Sequence, residues 1–296
     1  MSPNQQAATV ISIKSLKKTF KKFQLGPLDL DFQQGYVYGI IGPNGAGKTT
    51  LLKILMNLTH PSSGDVRIFG LSYANDEANI KRRIGFVPEE PYLYRLVDAQ
   101  WLGRFVSAYY PNWDAAVYQR LLHELNVDMR QPVHLLSRGT KVKLELAMAL
   151  AHKPELLILD EPTSGLDPIV RREILHLLSE VVQDERRTVL FSTHITEDAE
   201  RVADYIVFMI DGGIGLMGER EALRTQWREL ILDAKNVGQL TGVIRTEDAG
   251  QGTVRVIVGE GYNGQADIKR HVINERPLAL DEILAELASK KSEAII

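Results

Sequence analysis

The run Gly42-Pro43-Asn44-Gly45-Ala46-Gly47-Lys48-Thr49 fits the phosphate-loop pattern G-x-x-x-x-G-K-[ST] at every fixed position. The pattern constrains the fold because it functions only between a buried strand and a helix. Tyr36-Val37-Tyr38-Gly39-Ile40-Ile41 reads as that strand, and Thr50-Leu51-Leu52-Lys53-Ile54-Leu55-Met56 reads as that helix. The glycines let backbone N–H groups turn inward around phosphate oxygens, and the positive end of the helix dipole points to the same place. Gly42, Asn44, Gly45, Ala46, Gly47 and Thr50 are the expected cradle. Lys48 can reach the outer phosphates, and the Thr49 hydroxyl can bind Mg²⁺.

Composition narrows the setting. The chain has 296 residues, ample length for a large core, and a net charge of −3. No basic excess marks a nucleic-acid partner. The absence of cysteine excludes disulfides, thiolate metal sites and cysteine nucleophiles. No apolar run approaches the ~18 residues of a membrane-spanning helix, and residues 1–9 lack the apolar core of a signal peptide. The expectation is a cytoplasmic protein whose membrane role, if any, depends on a partner.

Strands and helices alternate along the chain. Residues 10–13, 28–32, 66–69, 84–87, 156–159 and 189–191 read as strands. Leu156-Leu157-Ile158-Leu159 is the continuous apolar run of a central parallel strand. Residues 96–125 have a helical, aromatic-rich pattern, and residues 138–151 read as a helix. Asp167-Pro168 supplies an N-cap and a first-turn proline, Thr196-Glu197-Asp198 opens a further helix, and residues 205–217 form a hairpin around Asp211-Gly212-Gly213. The alternation predicts an α/β fold with a mostly parallel sheet. After about Ala222 the character changes: residues 253–258 read as a strand and residues 281–290 as an amphipathic helix, a small α+β extension.

Asp160-Glu161 follows the apolar strand, at the carboxyl end where a parallel sheet presents ligand-binding groups. Asp160 would face the metal. Glu161 would sit beside the terminal phosphate, placed to deprotonate a water.

From these residues the chain resembles the ATP-binding subunits of ABC transporters over about residues 10–220. Leu136-Ser137-Arg138-Gly139-Thr140 resembles the family signature, Ser164-Gly165-Leu166-Asp167 its D-loop, and His194 its switch histidine. Phe20 stands where the family places an aromatic on adenine, or else is a packed strand-end aromatic. The resemblance implies a P-loop NTPase of the ABC type, with a mostly parallel sheet, an antiparallel β subdomain and a helical subdomain at about residues 90–150. It implies an ATP-binding domain over 1–222 and an extension of unassigned role over 223–296. It further implies ATP and Mg²⁺ as cofactors, Glu161 and His194 as catalytic residues, and Thr49 and Asp160 at the metal, with Glu89 either a further metal ligand or a residue that only rearranges its loop.

The resemblance also implies partners. Two copies would pack head to tail, as a homodimer or with a related ATPase subunit, so that Ser137 and Gly139 of one copy face the phosphate loop of the other. An integral membrane permease would hold the pair at the inner face of the cell membrane; the Pro111-Asn112-Trp113-Asp114 segment resembles bacterial drug- and antibiotic-type exporters. Two departures stand out: Arg138 and Thr140 replace a glycine and a glutamine of the signature, and Glu89 replaces a glutamine near the metal. The aromatic residues between Tyr92 and Trp113 read as the core of the helical subdomain, with the rim of a docking groove as the second reading. The rival function is a soluble ABC-type ATPase that moves no cargo. No long heptad arm, tandem nucleotide module or basic tail favours it.

Overall fold

A computed structural model describes residues 8–262 and 271–293. In chain order its elements are β1 (Thr9–Thr19), β2 (Gln24–Gln33), β3 (Val37–Ile41), α1 (Lys48–Leu55), β4 (Ser63–Ile68), α2 (Tyr73–Arg82), β5 (Ile84–Val87), α3 (Ala99–Ser107), α4 (Ala115–Glu124), α5 (Arg138–Ala151), β6 (Leu156–Asp160), α6 (Pro168–Val181), β7 (Thr188–Thr193), α7 (Thr196–Val202), β8 (Tyr205–Ile210) and β9 (Gly213–Glu219). There follow α8 (Arg220–Gln226), β10 (Arg228–Asp233), β11 (Val243–Gly250), β12 (Thr253–Val258), β13 (Val272–Pro277) and α9 (Leu280–Glu293). The chain divides into two compact units, one ending at Ile214 and the other beginning at Gly215. The division falls within β9, ahead of Ala222 where the sequence changes character.

The first unit is built on a six-stranded sheet ordered β5-β6-β7-β3-β8-β9. Its pairs from β5 to β8 are parallel. Every residue of β3, β6 and β7 is buried, which is why these strands are continuous apolar runs rather than alternating ones. Beside it stands an antiparallel sheet ordered β2-β1-β4. Here β2 does alternate, with Leu25, Leu28, Leu30 and Phe32 buried between more exposed neighbours.

The helical pattern over residues 96–125 resolves into α3 and α4. Pro111 cannot donate to a continuing helix, and Asp114 starts a new one by accepting from the N–H groups of Ala116 at 3.0 Å and Val117 at 3.1 Å. Asp167 caps α6 in the same way, accepting from Ile169 and Val170 with Pro168 in the first turn. The turn between β8 and β9 is Asp211-Gly212, at φ 46° and 74°. Positive φ at both central residues is the hairpin geometry that matches strand twist.

The second unit contains a four-stranded antiparallel sheet ordered β11-β12-β10-β13. Leu230, Leu232, Val256 and Val258 form its core, with Val237, Leu240, Val254, Tyr262 and Val272 packed against them. Charged residues flank those core positions, Glu229 beside Leu230 and Arg255 beside Val256. Glu229 pairs with Arg276 at 2.8 Å across β10 and β13, and Arg276 continues to Glu282 at 2.8 Å.

Candidate nucleotide site

Because β6, β7 and β3 are parallel neighbours, their carboxyl ends open on one edge of the sheet. Ile41 lies opposite Thr193, and Asp160 opposite Ser192. The loop after β3, the Asp160-Glu161 pair and His194 are thereby brought together. The loop, Glu161 and His194 line a cleft of about 560 Å³ with Glu89, Ser164 and Phe23, and the buried Asp160 is joined to it through the Thr49 hydroxyl.

The loop itself needs its glycines. Gly45 and Gly47 have φ of 84° and 105°. A side chain on Gly42 would place its Cβ 2.2 Å from the Met209 carbonyl oxygen of β8. The β8–β9 turn braces the loop, with the Gly212 N–H donating to the Ala46 carbonyl at 3.0 Å and the Gly212 carbonyl accepting from Gly26 at 2.7 Å. Gly47 is the N-cap of α1 and offers no side-chain acceptor, so the helix N–H groups are not capped from within. An anion at this position supplies what the helix start lacks.

Lys48 is buried and its ammonium has three contacts: it donates to the carbonyls of Gly42 at 2.7 Å and Pro43 at 3.3 Å, and it lies 3.1 Å from Glu161 Oε1. Thr49 Oγ1 donates to Asp160 Oδ1 at 3.1 Å, and Ser192 Oγ donates to the same oxygen at 2.6 Å. Burial pushes the Asp160 carboxyl above the ordinary aspartate range; the hydroxyls of Ser192 and Thr49 oppose that shift, and Glu161 adds to it. Glu161 has φ 49°, uncommon for a side-chain-bearing residue, and is fixed there by its N–H donating to Ser192 Oγ at 2.9 Å. Its Oε2 accepts from the His194 backbone N–H at 3.3 Å and lies 2.7 Å from His194 Nδ1.

Hard oxygen donors on Thr49, Asp160 and Glu89 suit Mg²⁺, which takes one or two carboxylates and completes its shell with water and phosphate. Among the described residues no group of three or more His, Asp or Glu side chains could by itself hold a metal ion.

Phe20, Ser137 and Gly139 do not line this cleft. Phe20 is 44% exposed, its ring centre 6.2 Å from that of Phe23, and Phe23 is the aromatic in the wall. Ser137 caps α5, accepting from the Thr140 N–H at 3.1 Å. Gly139 is buried, and a Cβ there would stand 3.0 Å from Val170 Cγ1. Arg138 sits beside the D-loop: a Cβ on Gly165 would be 3.4 Å from its Nη1.

Sequence reasoning passed over Ser192, Phe23 and Asp198 as site residues. Asp198 is fully buried; it accepts from Thr163 Oγ1 and from Arg171 Nε, each at 2.5 Å, and so holds the turn after Glu161. A hydroxyl residue two before His194 and a second aromatic three after Phe20 were the available signals.

Comparison with known proteins agrees with this geometry. The ABC transporter family profile matches residues 25–164. The lantibiotic transport ATP-binding protein SrtF of Streptococcus pyogenes is 36% identical over 214 residues, covering 71% of this chain and 91% of that one. The sulfate/thiosulfate import ATP-binding protein CysA of Salmonella typhi is 32% identical over 313 residues, covering 97% of this chain and 85% of that one. A solved structure of an ATP-binding subunit of an ABC transporter matches with a TM-score of 0.64 and 28% identity, over 73% of this chain and 92% of that one. A strand–loop–helix phosphate site, a buried Asp-Glu pair and relatives of this extent lead to one statement: the chain belongs to the ATP-binding subunits of ABC transporters, and its activity is ATP binding and hydrolysis.

Proposed function

We propose that this ATPase works as a head-to-tail pair whose closure drives a separate membrane subunit, and that the cargo moves outward. The observation that carries the reading is the gathering of Lys48, Thr49, Glu161 and His194 in one cleft at the carboxyl ends of adjacent parallel strands, with the buried Asp160 bonded to Thr49.

In this reading Lys48 and the N–H groups of residues 42–50 hold the phosphates, and Thr49, Asp160 and Glu89 hold Mg²⁺. A bound ion there would supply positive charge to offset that of the phosphates. Glu161 accepts a proton from the attacking water. His194, 2.7 Å from that carboxylate, orients it and is within reach of the terminal phosphate. Phe23, Phe20 or both flank the base. Ser137 and Gly139 of the partner subunit close the site, because neither lies in its own copy's cleft. The helix they begin brings N–H groups and the positive end of a dipole.

Outward transport is favoured by the Pro111-Asn112-Trp113-Asp114 segment, which resembles bacterial drug- and antibiotic-type exporters. Inward transport is the second reading, favoured by an import subunit that aligns along 97% of the chain. Vesicles carrying the membrane subunit with this chain on the outer surface distinguish them: ATP-driven accumulation of cargo inside supports export, and ATP-driven loss supports import.

The site assignment is tested by Glu161→Gln. It is expected to bind ATP with near-normal affinity, to lose about 10²–10⁴-fold in turnover, and to accumulate as a dimer in light scattering. Wild-type turnover, or a monomer with ATP and Mg²⁺ at saturation, refutes the proposed role.

A further inference from the structure

Glu161 and His194 are joined twice. Directly, Glu161 Oε2 lies 2.7 Å from His194 Nδ1 and accepts from the His194 N–H at 3.3 Å. Farther along both segments a second link runs parallel to the first. Thr163, two residues after Glu161, donates its hydroxyl at 2.5 Å to Oδ2 of Asp198, four residues after His194. The other oxygen, Oδ1, accepts from Arg171 Nε of α6 at 2.5 Å, and Arg171 Nη2 reaches Glu197 Oε2 at 3.4 Å. Asp198 is 0% exposed and Thr163 2%. One buried carboxylate thus ties together α6, α7 and the turn between β6 and α6.

That turn needs holding. Glu161, at φ 49°, stands in the left-handed region, and a residue with a side chain persists there only where its surroundings over-determine it. On the strand side its N–H is bonded to Ser192 Oγ at 2.9 Å. On the helix side its carbonyl accepts from the Ser164 N–H at 3.1 Å, and Glu161 and Ser164 both line the nucleotide cleft. Thr163 stands between them, so its bond to Asp198 constrains the turn at the point where it leaves the cleft. A buried carboxylate–guanidinium pair adds little net stability, because desolvation offsets much of the attraction and apolar side chains of similar size pack as well. What it does provide is direction, since charge-assisted bonds fix the donors they accept from.

Resting on the roles given to Glu161 and His194 above, we propose that Asp198 is a positioning residue for ATP hydrolysis. Through Thr163 it holds the turn that aims the Glu161 carboxylate at the attacking water, and through α7 it holds His194 against that carboxylate. Asp198 itself lies outside the cleft lining. The N–H groups proposed to hold phosphate belong to residues 42–50, outside the group formed by Thr163, Asp198 and Arg171, so the network acts on turnover and not on nucleotide affinity. A shift of about 1 Å in a reacting group can cost on the order of 10²-fold in rate, which sets the scale of the effect.

The test measures kcat and KM for ATP, with the melting temperature, on the full chain. Thr163→Val keeps the side-chain shape and removes the donor; Thr163→Ser keeps the donor. In Thr163→Val kcat is expected to fall about 10–10²-fold with KM nearly unchanged, and Thr163→Ser is expected to restore it. Asp198→Asn is expected to lose kcat in the same way, and the double variant to lose no more than the larger single one, because both remove the same bond. In a Glu161→Gln background Thr163→Val is expected to have almost no further effect, since the group being aimed is gone. Should valine prevent folding, Thr163→Ala gives the same comparison. Four results overturn the inference: wild-type kcat in Thr163→Val, a raised KM in place of a lowered kcat, an equal loss in Thr163→Ser, or an undiminished loss in the Glu161→Gln background. Wild-type turnover of Glu161→Gln itself refutes the site reading instead, so the two failures are distinguished.

Discussion

All three contacts of the Lys48 ammonium lie within the cleft's own machinery, two carbonyls of its loop and Glu161. A phosphate arriving at the loop therefore replaces existing partners rather than filling bare space, and the ammonium is already positioned when it does. Charge-assisted hydrogen bonds contribute about 1.5–3 kcal/mol each. Lys48→Ala removes more than one of them, so its Kd for ATP, read by calorimetry, is expected to rise far more than tenfold; a change within threefold would refute the role. Asp160 makes a pH prediction. Its folded pKa is raised by burial, so the protonated form is favoured in the fold. The stability this gives is fully present below the unfolded pKa and is lost as pH rises through the folded one. Metal binding requires the ionised form. Mg²⁺ affinity is accordingly expected to fall on acidification at a pH above the ordinary aspartate value. Magnesium titrations of the protein with nucleotide would detect this; an acid limb at or below the ordinary value would show that Asp160 is not the group that sets it.

Elements were legible where one physical signal dominated. β3, β6 and β7 are continuous apolar runs because both faces of a central parallel strand are covered, and α6 declared itself through Asp167 and Pro168. The phosphate loop and the Asp160-Glu161 pair followed, since their place at strand ends is fixed by the sheet. By contrast α2 buries only Ile80, leaving no apolar stripe to read. β11 has just one position that is not exposed, so no alternation marks it. Ser192 escaped notice because a hydroxyl in a strand is common, and its function arises only from lying opposite Asp160. The β8–β9 turn was legible as Asp-Gly, but its contact with the phosphate loop was not, because the partners are distant in sequence. That contact is testable. At Gly212, with φ 74°, a Cβ would lie 1.9 Å from the Gln24 carbonyl oxygen. Gly212→Ala must strain or shift the turn, at a cost of about 1–3 kcal/mol. Because the Gly212 N–H holds Ala46, the melting temperature and ATP affinity are expected to fall together. Loss of stability with unchanged ATP affinity would separate the turn from the loop.

At the scale of the whole molecule, the cleft contains the phosphate loop, Glu161 and His194, with Asp160 bonded to Thr49 of that loop, while Ser137 and Gly139 lie elsewhere on the same chain. If two copies pair head to tail, each contributes one half to each of two equivalent sites, and damage to the two halves should complement. Lys48→Ala spoils the phosphate-loop half. Ser137→Asp spoils the other half while sparing the fold, because aspartate still accepts from the Thr140 N–H that Ser137 Oγ now caps, yet sets a carboxylate against the partner's phosphates. Each variant alone should be nearly inactive. In an equal mixture about half the pairs are mixed; each has one site with both halves damaged and one with both halves intact. If sites act independently, roughly a quarter of wild-type turnover returns. If the two sites must fire together, little returns, but one ATP per mixed pair is still bound tightly and is countable by equilibrium dialysis. Should mixing restore neither turnover nor binding, while each variant remains folded by circular dichroism, the signature segment does not complete a neighbour's site and the head-to-tail pair is wrong.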